Sequence, residues 1–321
     1  MIDTSWLWAV FTVLAAAGQT ARNAMQRELT ASLGTVGATH IRFLFGFPFA
    51  LISLASVALA GGVALPHPGA IFWPWLLAGA LCQIAATALM LAAMGARSFV
   101  VAIAYIKTEP IQVAIFGLLF LGDAISPLMM VAIVVATAGV IVMSFKGRGA
   151  AGGIDSSKTG VDALMRSKTG VNALMPTLIG LAAGGMFALS AIGYRGAILT
   201  VMPGAGFVMA ATFTLAIGLL LQAVLLTVYL AALDRAVLAA IMKMWRPSLL
   251  AGFMGATASQ FWFLAFALAT AASVRTLALV EVLFAQAISS FVFGQRTSAR
   301  EGIGIVMIVI GVVLLIWSHP S

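Results

Sequence analysis

The chain has 321 residues, of which 63% are hydrophobic and only 8% charged, with a mean hydropathy of +1.13. That balance excludes a water-soluble domain of this length, which needs far more polar surface. A net charge of +8 does not point to nucleic acid, because the basic residues are scattered between apolar blocks rather than clustered.

The apolar residues come in long runs, and about 20 are what a helix needs to cross a hydrocarbon core of ~30 Å. The predicted fold class is therefore an all-α polytopic membrane protein with ten transmembrane helices, over 5–30, 36–60, 71–94, 98–120, 126–145, 176–199, 205–232, 247–268, 272–293 and 300–318. The opening "MIDTSWLWAV" lacks the basic segment of a cleaved signal peptide, so the first block is expected to be retained. Trp6, Trp8, Trp73, Trp75, Trp245 and Trp317 fall at span ends, as an interfacial aromatic belt requires.

The first span is apolar to about Ala17 and then reads "GQTARNAMQRELT". Gln19, Arg22, Asn23 and Gln26 recur at helical spacing and share one face. Such a stripe at membrane depth faces a watery cavity or a partner helix, unless the span ends near residue 20 and the stripe is a solvated cap. Arg42, just inside the second span, either snorkels to an interface or pairs with an acid such as Glu109. In the third span Gln83 and Thr87 share a face, and in the eighth Ser259 and Gln260 precede "FWFLAF". All four read either as interhelical hydrogen bonds or as the lining of a central site at mid-depth. Trp262 lies in the same stretch, either against a pocket or in apolar packing. Ser190, Tyr194 and Arg195 supply polar groups to the sixth span.

The fourth span, "AYIKTEPIQVAIFGLLFLGD", puts Tyr105, Lys107, Glu109 and Pro110 in strongly apolar surroundings. Pro110 removes one backbone hydrogen bond, frees the carbonyl of Ile106 and predicts a kink, so it is the candidate hinge. Lys107 and Glu109 are two apart and would not face the same way on a regular helix.

Residues 146–175 are the most polar stretch and divide the spans into two groups of five, 1–145 and 176–321. This linker contains "SKTGVDALMR" followed by "SKTGVNALMP", a tandem duplication that reads either as a docking site or as a repeat tolerated in a flexible connection. The two groups resemble one another. A shift of 172 lays 98–145 over 270–317, so that Glu109 meets Glu281, Gly122 meets Gly294 and Gly139 meets Gly311. Five spans per copy is odd, so the copies must lie in opposite orientations, the inverted-repeat plan of secondary transporters.

The stretch "TEPIQVAIFGLLFLGD" resembles the fourth-helix signature of the EamA branch of the drug/metabolite transporter superfamily, in which a Glu-Pro pair precedes an apolar run ending in Gly plus an acid. The resemblance extends over the whole chain through ten spans, two five-helix repeats and Gly-rich fifth and tenth helices. In the second copy Val282 replaces the proline and Gln295 the acid. What the resemblance implies is export of small metabolites, with amino acids as the favoured class and drugs or nucleobases as the alternative. Its expected partners are the lipid bilayer and a small-molecule solute, with no nucleic acid, and monomer and homodimer stay open. No cofactor or metal is implied.

The candidate cavity-lining residues are Gln19, Arg22, Asn23, Gln83, Thr87, Tyr105, Lys107, Glu109, Tyr194, Ser259, Gln260, Trp262 and Glu281, with Glu109 and Glu281 as candidate proton carriers. No nucleophile motif, P-loop or His/Cys cluster is present, so an enzyme is not expected. A structural or receptor-like membrane protein is the remaining rival. Basic residues concentrate after odd-numbered spans, only Arg195 and Arg275 lying towards the other side. The positive-inside rule then places the 146–175 linker in the cytoplasm of a plasma (bacterial inner) membrane, with both termini outside. The resemblance implies both termini inside; the charges belong to this chain and are followed.

Overall fold

The structure, a computed structural model, describes residues 6–96, 106–144, 170–291 and 298–318. Every regular element among them is helical: α1 (Leu7–Leu44), α2 (Phe47–Gly61), α3 (Phe72–Ala96), α4 (Glu109–Phe116, running on as a π-helical turn over Gly117–Leu121), α5 (Pro127–Ser144), α6 (Gly170–Leu233), α7 (Arg235–Lys243), α8 (Trp245–Leu268), α9 (Ala271–Leu277), α10 (Val280–Phe291) and α11 (Ala299–Trp317). Ser32–Gly61, Phe72–Ala93, Leu178–Leu233, Trp245–Leu268 and Ala299–Trp317 are long and apolar enough to cross a membrane. Glu109–Leu121 and Pro127–Met143 are shorter apolar helices. Most of the duplicated linker lies outside the described residues, as do Tyr105, Gly294 and Gln295.

Two of the helices are too long to be single spans. The 64 residues of α6 would measure about 96 Å if straight, some three times a hydrocarbon core. Gly206 interrupts it at φ 73°, ψ 164°, and Gly34 interrupts α1 at φ 68°, ψ 178°. Only glycine takes up that backbone conformation at little cost. The shift of 172 that relates Glu109 to Glu281 also carries Gly34 onto Gly206. The predicted boundaries between spans one and two, and between six and seven, are thus single-residue breaks rather than loops.

The fourth span, expected to kink at Pro110, and the ninth, expected to run unbroken, are each interrupted by a turn. Lys107 and Thr108 form a turn before α4, and Ala278 and Leu279 form a turn between α9 and α10. These breaks are 171 positions apart, one short of the shift that relates the two acids, and each leaves its acid, Glu109 or Glu281, in the first turn of the next helix. That placement suits a carboxylate, since the positive end of the helix dipole lies there. Pro110 therefore starts a helix instead of kinking one, and its missing N–H falls where no intrahelical bond is made. The second copy breaks without any proline, so the break, expected for the first half only, is common to both.

Packing between the halves is reciprocal. Where α5 crosses α11, a Cβ on Gly139 would lie 2.8 Å from the carbonyl oxygen of Gly304, and one on Gly311 would lie 2.7 Å from the amide of Ala136 and 2.9 Å from the carbonyl of Ala132. Ala132 and Gly304 are equivalent under the same shift, as are Gly139 and Gly311. Small residues let such backbones touch in the absence of a hydrophobic force between helices in lipid. Likewise α3 packs on α6, where a Cβ on Gly193 would lie 2.6 Å from the amide of Gly79, and α1 packs on α8 at Gly18 and Ala258. Trp6, Trp73, Trp245 and Trp317 are exposed at helix ends, while Trp8 is buried and Trp75 packs over Gly196. The short α7, capped by the Asp234 carboxylate at 3.2 Å from Val237 N, lays Val237 and Ile241 against Gly37 of α1.

Candidate functional site

The polar stripe of α1, the two helix breaks and the middle of α8 converge on one buried cluster. Arg22, Arg42, Lys107, Glu109, Arg275 and Glu281 are all between 2% and 8% exposed. Such burial of ionisable groups is expensive unless charge meets charge. The Lys107 ammonium pairs with the Glu281 carboxylate. The Arg275 guanidinium (Nε) lies 3.0 Å from Glu109 Oε1, though not aligned as a hydrogen bond, so this contact is an attraction of charges. Each acid at one break is thus paired with a base at or beside the other break. The turn at 107–108 is what turns Lys107 and Glu109, only two apart, to different partners.

A polar and aromatic shell surrounds the two pairs. Gln19 donates from Nε2 to Glu281 Oε2 at 3.1 Å and accepts at Oε1 from the Trp262 indole N–H, also at 3.1 Å. The Arg275 guanidinium stacks on the Trp262 ring at 4.4 Å and lies 5.4 Å from the Phe266 ring. Trp262 therefore lies against the cavity, one of the two placements the sequence left open. On the far side of Gln19, Arg42 donates to the Thr87 hydroxyl at 3.3 Å, Thr87 donates to its own Gln83 carbonyl at 2.8 Å, and Ser190 donates to Gln83 Oε1 at 2.9 Å. A Cβ on Gly255 would lie 3.4 Å from Arg22 Cδ and 3.5 Å from Arg42 Cγ, so the two arginine stems cross α8 together.

Two adjoining cavities of about 20 Å³ open inside this shell, each with room for about one water. Arg42, Gln83, Tyr194, Ser259 and Phe263 line both; Gln19, Trp262, Phe266 and Arg275 line the first and Gln222 the second. Among the described residues, neither cavity holds much more than a water.

Of the expected lining residues, the structure brings together Gln19, Arg22, Gln83, Thr87, Lys107, Glu109, Tyr194, Ser259, Trp262 and Glu281. Gln260 stands apart, donating to Thr212 at 2.8 Å as a link between α8 and α6. Asn23 lies on α1 but its side chain, like Tyr105, is outside the described residues. Arg195 clamps the end of α8, donating to the carbonyls of Phe266 (2.6 Å) and Ala269, with Asp123 at 3.5 Å. Cations are favoured at such helix C-termini. Sequence reasoning passed over Arg275 by counting it as a loop charge, although its place six residues before Glu281 in an apolar run was a signal. It left Arg42 open between two roles, and neither a described interface nor Glu109 receives it.

No protein-family model matches the chain, and no curated protein does. Among solved structures 26 chains match. One, described only as the crystal structure of a protein, superposes at a TM-score of 0.67 with 14% identity over 99% of each chain. At that identity the likeness shows the fold alone: an all-helical chain with apolar helices of membrane-crossing length.

Proposed function

We propose that this chain is a secondary transporter of the drug/metabolite, EamA-like type, with ten spans arranged as two inverted five-helix repeats, 1–145 and 176–321. It moves small metabolites outwards across a bacterial inner membrane by alternating access, with the polar linker 146–175 in the cytoplasm. The observation that carries this reading is the cross-pairing at equivalent helix breaks, Lys107 with Glu281 and Arg275 with Glu109. Broken helices meeting at mid-depth between two repeats are the usual setting of a transport site. A purely structural membrane protein has no use for four ionised groups at its centre, given their cost. The reciprocal packing of α5 with α11 and the matching breaks at Gly34 and Gly206 support the repeat.

The orientation gains support as well. Arg195 and Arg275, the two bases counted on the opposite side, are both buried in ion pairs and do not mark a loop. Alternating access then means that the closed shell around Gln19, Trp262 and Arg42 opens to one side at a time as the halves rock. Amino acids are the proposed solutes, since the shell combines donors, acceptors and aromatic rings. The stacked Trp262 and Phe266, with ring centroids 6.1 Å apart, favour a flat nucleobase or drug as the second reading. A counterflow screen in proteoliposomes over amino acids, nucleobases and sugars tests both. Exchange of amino acids above empty-vesicle leakage is expected; no exchange of any solute sinks the transporter.

A further inference from the structure

The carboxylates whose side chains are described are all accounted for; the Glu28 side chain, on α1, lies outside the described residues. Glu109 faces Arg275, Glu281 faces Lys107 and Gln19, and Asp123 faces Arg195. Asp234 and Glu301 cap α7 and α11 at exposed ends. Arg42 has no acid within ion-pair distance among the described residues. Its one described hydrogen bond goes to a neutral hydroxyl, Thr87, and its buried Nε has no partner. Yet this side chain lines both cavities, and the stem of a second guanidinium, that of Arg22, lies beside it over Gly255. The other groups lining both cavities are neutral: the Gln83 amide, the hydroxyls of Tyr194 and Ser259, and the Phe263 ring.

A buried cation that faces a cavity without a counterion is costly as it stands, and a bound anion removes the cost. The guanidinium is the side chain whose planar fork matches a carboxylate, with two parallel N–H donors. We propose that Arg42 is the anion-binding residue of the central site, and that the solute carries a carboxylate. The inference deepens the transporter reading and rests on it. In the bound form the carboxylate lies across Arg42, with the Tyr194 and Ser259 hydroxyls as further donors. The body of the solute reaches towards Trp262 and Phe263. A neutral solute leaves Arg42 as it is and gains nothing from it.

The test is titration of the purified full chain in lipid nanodiscs, at constant ionic strength, with acetate, succinate and glycine. Acetamide serves as the neutral isostere and inorganic phosphate as the competing oxyanion, with calorimetry and the thermal midpoint as readouts. At least one carboxylate is expected to saturate and raise the midpoint, while acetamide does neither. Arg42→Gln is expected to weaken that binding on the order of 10- to 100-fold, the usual worth of a charge-assisted hydrogen bond. Arg235→Gln, on exposed α7, is expected to leave it unchanged. Saturation by phosphate alone, by no anion, or equally by wild type and Arg42→Gln overturns the proposal. If Arg42→Gln does not fold, Arg42→Lys decides: the charge remains but the fork is lost, so binding is expected to weaken roughly tenfold, and unchanged affinity overturns the proposal. Carboxylate binding without flux would sink the transporter and keep this site; counterflow of neutral solutes without anion binding would do the reverse.

Discussion

The segments 106–121 and 271–291 are counterparts that reach one arrangement by different means. Both break just before a buried glutamate and restart a helix with that acid in its first turn. The first has Pro110 to enforce the restart and a lysine at the break itself; the second has neither, and supplies its base, Arg275, from the preceding short helix. Placement of an acid opposite a base at or beside the other break is shared, whereas the residues that achieve it are not. The lesson is that ion pairing from one break to the other, not the proline, is what the two breaks have in common.

The sharpest way to break this comparison is to remove one charge. Glu109→Gln leaves Arg275 buried beside a neutral amide and is expected to cost about 3–5 kcal/mol, the usual penalty for halving a buried pair. Thermal unfolding in detergent measures it, and flux in proteoliposomes driven by a pH gradient should vanish if Glu109 also carries the proton. Unchanged flux in a folded variant removes the proton role. Glu281→Gln is expected to match it within about 1 kcal/mol if the two pairs are equivalent, on the same scale.

Next in size is the exchange of partners. Lys107→Glu alone sets two carboxylates against each other, while Lys107→Glu with Glu281→Lys restores the attraction. The double variant should recover at least half of the lost stability, a coupling of about 1–3 kcal/mol in a double-mutant cycle. Additive effects would mean that the two side chains do not sense each other.

Smaller effects are expected at the glycine breaks. Gly34→Ala and Gly206→Ala each force a side chain into a positive-φ, extended-ψ backbone that is essentially glycine's alone, at about 1–3 kcal/mol. Nothing lies within 4 Å of a Cβ at either position, so the cost is one of conformation and should be alike in the two halves. A marked difference in thermal midpoint between them would show that only one break is structurally required. The smallest effect belongs to Pro110→Ala. In the first turn of α4 the proline removes no hydrogen bond, so the loss should stay below about 1 kcal/mol, against ~3 kcal/mol for a proline-dependent kink inside a helix.

Much of the fold was legible because burial in lipid leaves a strong trace in composition. Runs such as Phe72–Ala93 and Ala299–Trp317 are apolar and long enough to cross a membrane, and both properties are read directly along the chain. The shared spacing that sets Glu109 against Glu281 and Gly139 against Gly311 marked positions that the structure brings into contact, since a buried acid and a close helix crossing allow few substitutes. Fewer signals marked α7 or the turn at Ala278–Leu279, where no proline or polar run stands in the sequence. The polar stripe of Gln19 and Arg22 pointed inwards by helical period alone, but Trp262 read equally as packing until Gln19 and Arg275 were seen against it.

The sequence by itself determined that the molecule is all-helical with apolar helices of membrane-crossing length, and that Glu109 and Glu281 lie in apolar surroundings. Periodicity and hydropathy are local, and these properties are written along the chain. Which base faces which acid was decided only by tertiary structure. Lys107 and Glu281 are 174 positions apart and Arg275 and Glu109 are 166 apart; no local pattern links them. They meet because two broken helices far apart in the chain pack together, and pairing offsets the cost of burying each of these charges. Arg42 is the group that this pairing leaves over.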